Sequence, residues 1–229
     1  MKVQQEFSKS AKYYDSYNTI QEQVAKKLVS WIDNKPKNIL DIGCGSGTIY
    51  KNIDWQVDRF TGIDFSYLML KRHPRFNNVA LLYRDFNDSD AFKQLLPMGI
   101  DCIIASSSLQ WAKNLREVFS NLALFNAPMY FAIFTSNTFD TLNKTANITS
   151  ILSSKQQILR CANQFSVLKQ QTQRYILHFD SKRKMLNYIK KSGVSGNRNI
   201  LTFKQIKKLM LTYPLDYLEF EVIFLHVVT

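Results

Sequence analysis

Residues 39–47 read Ile39-Leu40-Asp41-Ile42-Gly43-Cys44-Gly45-Ser46-Gly47, an apolar run that ends in glycines at alternate positions. Glycine lets a backbone turn sharply and lets a ligand approach main-chain atoms. A strand, a glycine-rich turn and a helix form the nucleotide-binding start of a Rossmann-like sheet. The spacing is G-x-G-x-G rather than the G-x-G-x-x-G of dinucleotide sites, because position 48 is Thr48. Asp41 stands two residues before the first glycine. A pyrophosphate rarely tolerates a carboxylate there, whereas a sulfonium cofactor with an amino-acid tail does. A second acid closes the next apolar run, Phe60-Thr61-Gly62-Ile63-Asp64. At the end of a second strand, Asp64 is placed to accept both hydroxyls of a ribose. Its simpler role is to cap a helix starting near Ser66.

Outward from this stretch, the pattern alternates. A helix is expected over 18–33 from Ile20, Val24, Leu28 and Trp31. Strand 38–42, helix 46–53, strand 59–64, helix 66–73, strand 78–83, strand 100–105, helix 115–125 and strand 129–134 follow. This order implies an α/β architecture, a mostly parallel sheet flanked by helices. Residues 138–172 break the rhythm with Asn, Thr, Ser and Gln. They are read as a helical lid insertion, with residues 1–36 as an N-terminal helical arm. A strand over 174–179, helices over 181–192 and 202–211, and a long last strand over 216–228 complete one domain spanning 1–229.

Composition narrows the function. Of 229 residues, 45% are hydrophobic, enough to bury a substantial core. Cys44, Cys102 and Cys161 show no paired spacing, and His73, His178 and His226 are scattered, so neither a disulfide framework nor a metal site is expected. The polar start and the short apolar runs predict no signal peptide and no membrane span, hence a cytoplasmic protein. The net charge of +12 is unevenly spread: residues 141–215 carry 14 Lys/Arg and only Asp180 as an acid. Such a field attracts an anionic partner, whether nucleic acid, an acidic protein or a membrane surface, or else is only a solvated surface.

The glycines and the two acids resemble motif I and the second-strand acid of class I S-adenosylmethionine (SAM) methyltransferases. Four further patches resemble one family, the malonyl-acyl-carrier-protein O-methyltransferases of biotin synthesis (BioC). They are Phe7-Ser-Lys-Ser-Ala11-Lys-Tyr-Tyr14-Asp15 with Gln21, Ser107-Ser-Leu-Gln110-Trp111, Ile200-Leu-Thr202 with Gln205 and Leu209, and Tyr213-Pro-Leu-Asp-Tyr217. Two positions depart from the family pattern: Gln164 stands where a basic residue is common, and Ala112 where a cysteine often follows Gln-Trp.

The resemblance implies a Rossmann-like, seven-stranded class I methyltransferase fold that methylates the free carboxylate of malonyl-ACP and yields S-adenosylhomocysteine. It implies cofactor contacts from Asp41, Gly43, Gly45, Gly47, Asp64, Phe65, Asp85 and Ser107. Tyr14, Gln110 and Trp111 become candidates for the catalytic pocket, and Phe165, Arg174 and Arg198 for holding substrate. The acyl carrier protein is the expected partner of segment 141–215. Other small carboxylic acids and RNA are the rival substrates. A nucleic-acid substrate is disfavoured because Ser106-Ser-Ser-Leu-Gln-Trp111 replaces the Asn/Asp-Pro-Pro-aromatic motif of base-amino methylators. A non-catalytic binding module is disfavoured by the intact glycines and acids.

Overall fold

The computed structural model describes residues 18–191 and 201–229. In chain order its strands are β1 (Asn38–Ile42), β2 (Arg59–Asp64), β3 (Val79–Tyr83), β4 (Cys102–Ser106), β5 (Met129–Phe134), β6 (Ser166–His178) and β7 (Tyr217–Val228). The helices are α1 (Thr19–Val29), α2 (Thr48–Asn52), α3 (Tyr67–Leu70), α4 (Asp90–Lys93), α5 (Leu115–Ala123), α6 (Asp140–Ala146), α7 (Lys155–Ala162), α8 (Lys182–Lys191) and α9 (Phe203–Thr212). The strands form one sheet in the order β3-β2-β1-β4-β5-β7-β6. The first five are parallel, β7 runs antiparallel beside β5, and β6 pairs antiparallel with β7. This is the Rossmann-like class I methyltransferase architecture that the sequence implies.

The central strands are apolar almost without interruption because helices cover both faces. On one face Ile20, Val24 and Leu28 of α1 cluster with Ile39, Ile104, Ala132 and Phe134. On the other, Phe119 and Leu122 of α5 and Ile158 of α7 cluster with Leu40, Ile103, Phe131 and Ile223. The chain runs from β1 toward β2 and β3, then crosses back to β4 and β5. The order therefore reverses between β1 and β4, where open α/β sheets bind ligands beyond their strand ends. Among the described residues no helix is long and apolar enough to cross a membrane, and no cluster of His, Cys, Asp and Glu is arranged to hold a metal ion.

The expected lid over 138–172 is corrected at its C-terminal end. Its helical part is α6 and α7, but residues 166–172 belong to β6, which extends unbroken to His178. Lys169-Gln170-Gln171 reads as helix-forming polar sequence. It lies instead on an edge strand whose side chains are mostly exposed, with a register shift between Val167 and Lys169. Charges and bulges of this kind blunt a sheet edge. The polar residues that obscured α7 are its cap. Ser154 Oγ accepts the Gln157 N–H at 3.2 Å, and Gln157 Oε1 accepts the Ser154 N–H at 2.7 Å.

Phe119 ties the second face together. It is fully buried, stacked on Phe131 at 5.1 Å and edge-on to Phe165 at 5.5 Å between ring centroids. Phe119→Ala should cost about 3–5 kcal/mol of stability, the usual range for emptying a buried aromatic site. Urea unfolding checks this; a loss below about 1 kcal/mol would show that the layer is not close-packed.

Candidate active site

The turn after β1 is built on two close approaches. Gly43 has φ +72°, and a Cβ placed on it would come within 2.4 Å of Ser108 Cβ. Gly47 has φ +85°, with Pro74 Cδ 2.6 Å from where its Cβ would stand. No other residue fits these positions without displacing a neighbour. The Gly43 and Cys44 N–H groups both donate to the Ile63 carbonyl, at 2.8 and 3.0 Å. The turn is thereby fastened to β2.

Asp64, at the end of β2, completes the fastening. Its Oδ2 accepts the Gly45 N–H at 2.9 Å, and its Oδ1 accepts the Ser66 N–H at 2.6 Å. One carboxylate therefore links the glycine turn to the entrance of α3. An ionised carboxylate has about four acceptor sites, so each oxygen keeps one for a ligand's hydroxyl. Burial raises the Asp64 carboxyl from its ordinary range to about 6, against the lowering effect of the two N–H groups, and the charge of nearby Asp85 adds to the rise. Asp41 is also buried and raised, first by desolvation and then by the Asp64 charge. The Asp41 Oδ2 atom has no hydrogen-bond partner among the described residues.

The far wall of the crevice follows β4. Ser107 adopts φ +57°, unusual for a non-glycine residue, while its N–H donates to the Ala132 carbonyl at 2.9 Å. Gln110 Nε2 donates to the Ser107 carbonyl at 2.7 Å. Ser108 Oγ donates to the Ile42 carbonyl at 2.6 Å, joining the ends of β4 and β1. Among the described residues, several of the buried oxygens without partners lie at these strand ends and the turns they feed: Ser46 Oγ, Ser66 Oγ, Ser106 Oγ, Ser107 Oγ and Gln110 Oε1. Native interiors satisfy nearly all such atoms, so a polar ligand is the natural partner for this set.

The sequence-derived candidates fall into three groups. Asp41, Gly43, Gly45, Gly47, Asp64, Phe65, Asp85, Ser107, Gln110 and Trp111 lie on or just beyond the C-terminal ends of β1 to β4, at one edge of the sheet. Asp85 Oδ1 accepts two bonds from Asn87, and Asn87 Oδ1 accepts the Lys113 N–H at 2.7 Å, tying the exit of β3 to that of β4. Trp111 is buried and belongs to the core cluster under α5 as well as to the turn after β4.

The two substrate candidates among the described residues, Phe165 and Arg174, stand apart from that set. The ring of Phe165 packs on Phe119 and Phe131, and the next residue, Ser166, pairs with Val228 at the opposite edge of the sheet. Arg174 stands on β6, three strands from β4, or about 14 Å by strand spacing. Its Nε reaches Glu221 Oε2 at 3.5 Å. Tyr14 and Arg198 lie outside the described residues.

Glu221 itself was missed. It is 6% exposed, and its Oε1 accepts Thr135 Oγ1 at 2.7 Å and Asn137 Nδ2 at 2.9 Å beyond the end of β5. An acid inside the apolar run Phe220-Glu221-Val222-Ile223 was the available signal. The serine hydroxyls of the crevice carried no such mark.

With this geometry in place, the relatives of the chain can be stated. A family model described as a methyltransferase domain matches residues 40–128. A malonyl-[acyl-carrier protein] O-methyltransferase 2 of Ilyobacter polytropus is 30% identical over 154 residues, covering 63% of this chain and 58% of that protein. The chain is thus similar in part to the malonyl-[acyl-carrier protein] O-methyltransferases. A second relative with that name, from Bacillus anthracis, is 26% identical over 219 residues, covering 85% of this chain and 81% of that protein. The match to the Ilyobacter relative thus spans under two thirds of its length, and that to the Bacillus relative spans most of it. Among solved structures, the YcgJ protein of Bacillus subtilis superposes with a TM-score of 0.63 at 14% identity, over 90% of this chain and 98% of that one. Magnesium protoporphyrin IX methyltransferase of Synechocystis, solved with bound S-adenosylhomocysteine, gives 0.53 at 14% identity, over 89% and 82%. At such identities these structures bear on the fold alone.

The raised Asp64 carboxyl makes a prediction about this protein's stability. Its proton is held more tightly in the folded chain than in the unfolded one, near pH 6 against about pH 4. Its stabilising contribution is therefore full below about pH 4 and lost as pH rises through 6. Thermal unfolding of the wild type and Asp64→Ala between pH 4 and 7 should show the wild type's relative stability declining as pH rises. A rising difference would contradict the assignment.

Proposed function

We propose that the chain binds SAM in the β1–β4 crevice and methylates the free carboxylate of a malonyl group carried on an acyl carrier protein. The supporting observation is the single carboxylate, Asp64, that joins the glycine turn to α3 while keeping acceptor capacity toward the crevice. The unpartnered acceptor Asp41 Oδ2 suits a cationic or hydroxyl donor. The substrate follows from the shared name of the relatives described above. The product ester would open the synthesis of the pimeloyl precursor of biotin.

The residues fit SAM by their chemistry. Asp64 would accept the ribose hydroxyls, Gly43, Gly45 and Gly47 would leave room along the backbone, and Asp85 would face the adenine. When bound, SAM supplies a methyl group on a positively charged sulfur that leaves as a neutral thioether. The chain itself must align and dry the acceptor. A malonyl carboxylate is ionised at neutral pH, since carboxylates titrate near pH 4, so no general base is needed. Alignment alone can supply about 7–11 kcal/mol of the barrier. Gln110 would orient the acceptor with its amide, and Trp111 would exclude water with a face that also favours cations. Tyr14 is a proposed catalytic residue. Arg198 is a proposed anchor for substrate. Arg174, on its outlying strand, suits the carrier-bound part of the substrate better than the reacting carboxylate.

Three measurements test this reading. Radiolabelled methyl transfer from SAM should favour malonyl-ACP over free dicarboxylic acids and tRNA; transfer to tRNA alone would sink it. Asp64→Ala should weaken SAM binding by about 1.5–3 kcal/mol, as for hydrogen bonds to charged groups, and unchanged calorimetric affinity would remove Asp64 from the ribose. Trp111→Ala should lower turnover far more than it lowers SAM affinity. A parallel fall in turnover, affinity and melting temperature would assign Trp111 to the core only.

A further inference from the structure

Helix α9 is barely anchored to the fold. Of its ten residues Leu209 is the one fully buried side chain, with Gln205 half-buried and its Nε2 on the Ala146 carbonyl at 3.4 Å. Four of its eight exposed residues are apolar. Phe203 is 83% exposed, Leu211 71%, Met210 41% and Ile206 39%. At 3.6 residues per turn Ile206, Phe203 and Met210 fall within about 60° of one another on the helix. Lys207, Leu211, Lys204 and Lys208 follow in order around one flank, and all three lysines are exposed. A surface stripe of this kind, rimmed by one sign of charge, marks an interaction site.

Position supports the same reading. α6 follows the C-terminal end of β5, and α9 packs on α6, so α9 stands at the sheet edge that carries the glycine turn and Gln110. An apolar crevice opens beside its first turn, lined by Phe139, Leu142, Ile148, Ile151, Ile189 and Leu201. It runs from the start of α9 to Thr138, just past the end of β5.

We propose that α9 is the docking face for an acidic, helical carrier protein. The partner's identity rests on the function proposed above; the face rests on the stripe and the lysines. Charge decides the occupant, because residues 141–215 hold 14 Lys/Arg against the single acid Asp180. Ile206, Phe203 and Met210 would meet apolar side chains of a carrier helix, and Lys204, Lys207 and Lys208 its acids. Rim charges of this kind govern encounter and partner choice.

The experiment uses the full chain and its Phe203→Ser/Met210→Ser and Lys204→Glu/Lys207→Glu variants, all at exposed positions away from the crevice between β1 and β4. Fluorescence anisotropy of labelled malonyl-ACP should show saturable binding, weakened about tenfold in both variants and by raised salt. SAM affinity and transfer to malonyl-CoA, which lacks the acidic protein, should not change. If neither malonyl thioester is methylated, the function above fails, while anisotropy still tests the face. Equal affinity of variants and wild type for the carrier, or RNA bound more tightly than the carrier, would overturn the docking proposal. A photo-crosslinking amino acid at Phe203 should capture the carrier; capture of residues 1–17 or of a second copy of the chain would overturn it as well.

Discussion

The site depends on one carboxylate. Asp64 is buried at the end of β2 and accepts N–H groups from Gly45 and Ser66, which belong to turns after two different strands. Desolvation makes its charge unfavourable, and only partial compensation comes from the two donors. The arrangement is therefore underfilled: a charge with capacity for further donors faces the place where the strand order reverses. Asp41, with an oxygen left unpartnered among the described residues, adds to the same deficit. The Asp64 charge adds to the cost of ionising Asp41. A ligand that brings hydroxyls and a positive charge relieves both, which is how a destabilising feature of the free protein becomes a source of affinity.

The architecture was readable because both faces of the central strands are covered. Near-continuous apolar runs then mark β1, β2, β4, β5 and β7 to within a residue or two. Short α4, between β3 and β4, left no periodic signal in four residues. β6 was misplaced at its start because an exposed edge strand has no buried face to impose alternation. The glycine turn and the acids at the strand ends were likewise legible, since glycines with positive φ and acids at strand ends leave marks in the sequence. The packing of Phe165 on Phe119 and Phe131 was not legible, because which end of an antiparallel strand reaches which edge of the sheet depends on β7 being inserted between β5 and β6.

Glu221 shows the same limit from the other direction. Its carboxylate gathers Thr135, Asn137 and Arg174 around the end of β5. Three segments distant in sequence meet there, and only the tertiary register of β7 brings them together. Breaking one member of such a buried polar network exposes the others to a desolvation cost. That network fixes the loop that leads into α6, and through α6 the outstanding helix α9. The rigid end of β5 thus connects the chemical crevice to the charged surface.

Proton release on cofactor binding tests the central claim most directly. If hydroxyl donors and a positive charge engage Asp64 and Asp41, binding must favour their ionised forms. Calorimetry of S-adenosylhomocysteine binding, repeated in buffers of different ionisation enthalpy, measures that release. The account predicts proton release near pH 6 that is reduced in Asp64→Ala. Binding at pH 6 with no proton release, or with release unchanged in Asp64→Ala, would contradict it.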